Sequence, residues 1–119
     1  MNELIQELHD IEMIKQLKHR YFRAIDMADH GLLDSVFTDD ITVDYRGGTY
    51  VWEASGKKEI IQSLKYSFHS ETAAMHTGHH PEISIHDEVN ASGIWYLQDI
   101  FYNFNENALT QGTALYKDK

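Results

Sequence analysis

The hydrophobic period of this chain changes along its length, and that change limits the folds open to it more than any other feature. Leu4, Leu8, Ile11, Ile14, Leu17, Tyr21, Ile25 and Ala28 recur at steps of three and four, which keeps them on one face of a helix. Asn2 is placed to cap this helix, His9-Asp10 is where a kink would fall, and Gly31 after Asp29-His30 can release it. Leu32 to Phe37 adds one or two further turns. After Thr38-Asp39-Asp40 the period becomes two: Ile41, Val43 and Tyr45 alternate with Thr42, Asp44 and Arg46, as in a half-buried strand. Gly47-Gly48 permits a tight reversal into Thr49-Tyr50-Val51-Trp52. Ser55 is placed to cap a third helix that turns Ile60, Ile61, Leu64 and Phe68 inward. From Thr72 the chain stays at period two, with strands over 73–86, 91–104 and 109–117 and Asp87-Glu88 and Asn90 in the first turn. Helices followed by an antiparallel meander predict an α+β fold, and 119 residues predict a single domain over 1–119.

The strand from Gly93 to Phe101 is apolar on both faces, with Trp95, Leu97 and Phe101 on one and Ile94, Tyr96 and Ile100 on the other. It is predicted to be buried on both faces, being either central or turned with one face into a subunit interface; an exposed patch of that size is unusual on a monomer. A homo-oligomer, dimer or trimer, is expected.

Charge and composition exclude several partners. Nineteen acidic residues against ten basic ones give a net charge of −9, which disfavours phosphate backbones and anionic membrane surfaces. The absence of cysteine removes disulfides, thiolate catalysis and sulfur-ligated metals. Met1 to Gln6 has neither the basic lead nor the apolar run of a signal peptide, and no stretch nears the roughly 20 apolar residues of a membrane span. The expected location is cytoplasmic.

Eight histidines raise the question of a metal. On an extended strand His76 and His79 face opposite ways, and His76 and His80 stand roughly 13 Å apart. Zinc needs nitrogens at about 2 Å, so no metal is expected; His9, His19, His30, His69 and His86 are expected on the solvated surface. Asp99 is more informative, because it falls in register with Trp95, Leu97 and Phe101. Asp26 lies roughly 40° beyond Phe22 on the helical wheel, at the edge of the stripe. Tyr21 is within the stripe, and Tyr45 is on the apolar side of the first strand. Spacing alone leaves each of them open to core packing or a structural hydrogen bond as well as to chemistry.

The segment Ile11-Glu12-Met13-Ile14-Lys15-Gln16-Leu17-Lys18-His19-Arg20-Tyr21-Phe22-Arg23-Ala24-Ile25-Asp26, followed by Val36-Phe37-Thr38-Asp39-Asp40, resembles the opening of SnoaL-like domains in the nuclear-transport-factor-2-like superfamily. Met75-His76-Thr77-Gly78-His79-His80-Pro81-Glu82-Ile83 and Gly93-Ile94-Trp95-Tyr96-Leu97-Gln98-Asp99 resemble the third and fourth strands of the same family. The resemblance implies a cone-shaped α+β barrel in which three N-terminal helices pack on a strongly curved, mainly antiparallel sheet. Within the superfamily the chain looks most like the bile acid 7α-dehydratase type, with scytalone dehydratase more distant. The family's site residues fall on Tyr21 and Asp26 of the helix, Tyr45, His76 and Asp99. The chain stops at Ala114-Leu115-Tyr116-Lys117-Asp118-Lys119, where family members continue into a last strand with an aromatic and a basic residue. An unpaired sheet edge is therefore expected.

The resemblance implies a cofactor-independent dehydratase acting on a hydrophobic, steroid- or polyketide-like ring compound with a hydroxyl and a carbonyl. Asp26 would hold one nitrogen of His76, whose other nitrogen takes a proton beside the carbonyl. Tyr21 or Tyr45 would donate to the enolate oxygen or the departing hydroxyl, and Asp99 would be a second acid or position the substrate. Phe22, Trp95, Leu97 and Phe101 would line the apolar wall. A non-catalytic ligand-binding or dimerisation module of the same fold, and an isomerase or polyketide cyclase using the same base, are the alternatives.

Overall fold

A computed structural model describes residues 2–119. Helix α1 runs from Asn2 to Asp26 and α2 from His30 to Val36; strands β1 (Thr42–Gly47) and β2 (Tyr50–Ser55) follow, then α3 (Lys57–Ser67) and three long strands, β3 (Thr72–Ile85), β4 (Ala91–Asn103) and β5 (Ala108–Asp118). The class is α+β, as the change of period predicted, with all strand pairs antiparallel. The strands form two sheets, a β1-β2 hairpin and a β3-β4-β5 meander. They do not close on each other, in keeping with the expected open edge.

Local chemistry explains most boundaries. α1 and α2 are divided by Ala28, which takes a positive φ of 52°, and by Asp29, whose carboxylate accepts from the Leu32 N–H at 3.0 Å. The break was expected at Gly31, but Gly31 lies inside α2; the Asp29 cap starts the second helix before the glycine can end the first. Gly48 supplies the positive φ (58°) for the β1-β2 reversal, where left-handed backbone matches the strand twist. Ser55 was expected to cap α3. It ends β2 instead, and Gly56 (φ 92°) is the N-cap, without a side-chain bond. Asp87 organises the β3-β4 turn by accepting from Val89 N–H, Asn90 N–H and Asn90 Nδ2; the Asn90 amide and the Val89 N–H hold its carboxyl below the usual carboxylate range.

The fully covered core lies where the three helices meet: Ala24, Ile25, Leu33, Ile60 and Leu64, flanked by Val43, Trp52 and Phe68. The expected stripe of α1 reaches full burial only at Ile25, near the C-terminal end of the helix. Leu4 and Leu8 are 55% and 59% exposed and Leu17 38%; a 25-residue helix is about 37 Å long at 1.5 Å per residue, and its first turns outrun the layers beneath it. The helix is continuous through His9-Asp10. β4 is central in its sheet, the first of the two predicted arrangements, but of the two faces expected to be buried only the inner is covered: Trp95 is 3% exposed and Leu97 9%, against 57% for Tyr96 and 39% for Ile94 on the outer face. No helix among the described residues is long and apolar enough to cross a membrane.

Candidate active site

The inner face of the β3-β4-β5 meander carries the sequence-predicted residues of both long strands. His76 on β3, Asp99 on β4 and Gly112 on β5 stand in one cross-strand row, and directly opposed side chains in such a row are close neighbours. α1 crosses this face and brings Asp26 to His76. The ring Nδ1 of His76 lies 2.6 Å from Asp26 Oδ1, and the backbone N–H of His76 donates to both carboxylate oxygens at 3.1 Å. The pair is mostly sheltered, with side-chain exposures of 10% for His76 and 23% for Asp26. Engagement at Nδ1 fixes the ring and leaves Nε2 as the nitrogen for a substrate.

Aromatic rings frame the imidazole. Phe22 stacks on it at 6.1 Å and Phe68 meets it edge-on at 5.7 Å; Phe101 in turn packs against Phe68 at 5.6 Å. Phe22 fits there because β3 carries Gly78, where an added Cβ would come within 2.6 Å of its ring. Asp99 lies over Gly112 in the same way, since a Cβ there would sit 2.7 Å from Asp99 Oδ1.

The two predicted tyrosines meet on the other side of Phe22. Tyr21 Oη and Tyr45 Oη are 3.3 Å apart. The structure adds three residues that sequence reading did not select: Tyr116, Asp118 and Lys18. The Tyr116 ring lies 6.0 Å from Tyr45 and 6.1 Å from Phe22. Lys18 reaches over it, with Nζ 3.7 Å from the ring centroid, and pairs with Asp118 Oδ2 at 2.7 Å. Burial raises the pKa of all three phenols; Tyr45 and Tyr116 add to the rise for Tyr21, and Tyr45 adds to it for Tyr116. They are neutral hydrogen-bond donors at neutral pH. Burial lowers the Lys18 ammonium, and Asp118 partly offsets that. One sign of Lys18 was available: a cation placed three and four residues before Tyr21 and Phe22, on the apolar face.

The remaining candidates are sorted by burial. Trp95 and Leu97 are core side chains of the inner face. A cavity of about 500 Å³ opens beside Asp26, lined by His30, Phe68, His69, Thr72 and Ala74; a larger, shallower hollow of about 1070 Å³ lies against α3, lined by Lys57, Lys58 and Lys65 among others, away from His76. His30 and His69 were expected on the solvated surface, and both are half-buried. His30 Nδ1 is enclosed without a partner, while His69 Nδ1 accepts from the Glu71 N–H. His79 and His80 sit on a bulge of β3, exposed, and no three His, Asp or Glu side chains cluster at metal-binding range among the described residues.

Comparison with known proteins places this geometry. The family model described as a SnoaL-like domain matches residues 6–119. A scytalone dehydratase-like protein from Novosphingobium aromaticivorans superposes with a TM-score of 0.83 at 19% identity, over 99% of this chain and 76% of that one. A protein from Catenulispora acidiphila in complex with S-DNPA gives a TM-score of 0.65 at 18% identity, over 87% of this chain and 75% of the other. The beta subunit of the benzoate 1,2-dioxygenase from Burkholderia mallei gives 0.69 at 11%, over 87% and 74%. At these identities the structural likeness concerns the nuclear-transport-factor-2-like fold.

Proposed function

Because this chain belongs to the SnoaL-like domain family, we propose that its inner face houses a cofactor-independent dehydratase for a hydrophobic ring compound bearing a hydroxyl β to a carbonyl. The 2.6 Å contact between Asp26 and His76 Nδ1 carries this reading, since it holds an imidazole as a general base with Nε2 free to act. His76 Nε2 removes the proton beside the carbonyl, and the electron pair moves onto the carbonyl oxygen as an enolate. Tyr21 and Tyr45, kept protonated by burial, donate to that oxygen. The enolate then collapses, the β carbon–oxygen bond breaks, and the imidazolium returns its proton to the departing hydroxyl as water. Asp99, in the same row as His76, positions the hydroxyl or serves as the second acid.

The experiment is a screen of β-hydroxy ketones on ring scaffolds, steroid- and polyketide-like, with water loss followed by the absorbance of the enone. Wild-type turnover that disappears in folded His76→Ala supports a lyase; turnover that survives rules His76 out as the base. A rearranged product without loss of water would indicate an isomerase or cyclase using the same base. Another reading, a non-catalytic binding module, draws on the near-complete burial of Trp95 and Leu97, which fill the interior rather than wall an open space.

The exposed outer face, with Met75, Ile94, Tyr96, Leu109 and Leu115 between 39% and 58% exposed, supports a homo-oligomer. Light scattering reads its size, and a monomer at micromolar concentration would set this aside.

A further inference from the structure

The dehydratase chemistry above uses two of the three clustered phenols and leaves Lys18 and Asp118 without a task. We propose that Lys18, Tyr21, Tyr45 and Tyr116 form a charge-assisted oxyanion site, selecting ring ligands that carry an anionic oxygen: a phenolate, an enolate or a carboxylate. This rests on the ligand-binding face of the proposed function, and extends it to which end of the ligand enters there and what charge it bears.

The geometry supports this in three steps. First, the phenols have only one another as partners. Each hydroxyl has one hydrogen to give, and in the free protein Tyr21 and Tyr45 share one bond at 3.3 Å, in which one donates and the other accepts. An incoming oxyanion can accept all three hydrogens at once, in bonds stronger than those between neutral hydroxyls.

Second, the ion pair behind them is oriented. Lys18 and Asp118 are joined at 2.7 Å, but the lysine side chain is 11% exposed and the aspartate 42%. The positive end of the pair therefore lies inward, over Tyr116, with Nζ also 5.1 Å from the Tyr21 ring centroid and 5.3 Å from that of Phe22. The negative end lies toward solvent, where it is better screened.

Third, each of the three tyrosines is half-buried, so part of the cluster faces out of the core. The groups come from three separate elements, α1, β1 and β5. Hence the site exists only when the β5 end is docked on α1, and the Lys18–Asp118 pair is the polar link between them.

A chromophoric phenol tests this without turnover. Para-nitrophenol is colourless as the phenol and yellow as the phenolate, so a pH titration of the bound probe reports which form the protein prefers. The wild type is expected to bind the phenolate at least about tenfold more tightly than the phenol, lowering the bound probe's pKa by about one unit. Lys18→Met should abolish the preference and Lys18→Arg should restore most of it. Should Lys18→Met fail to fold, Tyr116→Phe keeps the ring over the ammonium, removes one donor, and should reduce the preference severalfold. No saturable binding to wild type, equal affinity for the two forms, or a wild-type preference retained in these variants would overturn the proposal; a merely structural ion pair predicts the last of these with a lowered melting temperature. A protein that prefers the phenolate yet dehydrates none of the hydroxy ketones would refute the dehydratase and leave the oxyanion site standing.

Discussion

Asp26 grips His76 from fifty positions away in the chain, through the ring Nδ1 and the backbone N–H together. One carboxylate thus fixes both where β3 lies against α1 and how the imidazole is turned. A side chain that serves the fold and the chemistry at once should show two separable losses when it is altered.

Asp26→Asn keeps the shape but turns one of the two oxygens into a donor, facing the His76 N–H or its ring. Turnover of the hydroxy-ketone substrate is expected to fall by about 10²–10⁴, the range of a positioned general base. Stability should fall by about 1–3 kcal/mol from the mispaired, largely buried donor. Steady-state kinetics and urea unfolding on one preparation separate the effects; full kcat in a folded Asn variant would remove ring orientation from the mechanism.

Gly78→Ala tests the seat of Phe22. The new Cβ would meet Phe22 Cε2 at 2.6 Å and Cζ at 3.2 Å, with Trp95 Cε3 at 3.3 Å. Phe22 is 6% exposed and Trp95 3%, so neither ring has free space to move into. Overpacking of this kind should cost about 1–3 kcal/mol, read from denaturant midpoints. A midpoint equal to wild type would show that α1 can lift off β3 without penalty.

Much of this arrangement was legible before the structure, for identifiable reasons. The helix-then-meander order follows from the change of hydrophobic period, and Asp99 could be placed on the inner face because strand alternation links it to Trp95 and Leu97. Asp26 was marked by its position at the stripe's edge, but its partner was not, because a contact between α1 and β3 has no local signature; the family resemblance supplied His76. Periodicity also could not say where a stripe stops being covered. Leu4 and Leu8 repeat as regularly as Ile25, yet they overhang, since burial depends on what lies opposite. Tyr116 and Asp118 escaped notice because their role depends on β5 lying against α1 and β1, a tertiary fact.

Gly112→Ala should act on Asp99 alone. Its Cβ would come within 2.7 Å of Asp99 Oδ1, the free end of a side chain that can rotate away. Stability is therefore expected to change by less than about 1 kcal/mol, while turnover drops toward that of Asp99→Asn. Wild-type kcat together with a displaced Asp99 carboxylate in a crystal structure would exclude a role for that residue.

The phenol cluster predicts the alkaline behaviour of the fold. Tyr21, Tyr45 and Tyr116 have raised pKa values in the folded protein, so above the ordinary tyrosine value of about 10 the unfolded chain releases protons that the folded chain keeps. Their stabilisation is complete below that pH and declines as pH rises past it, by up to about 1.4 kcal/mol per pH unit for each phenol. Lys18 works in the opposite sense: its pKa is lowered by burial, so its share of the stability grows with pH until the ordinary lysine value of about 10.5 is passed. Above that value only the tyrosine decline remains, and it should be shallower in Tyr116→Phe than in wild type. Urea unfolding at stepped pH gives the slope, and phenolate absorbance of the native protein gives the count. Of seven tyrosines, three should stay un-ionised until the protein unfolds; if all seven ionise together near pH 10 in the folded state, the cluster is not buried as described.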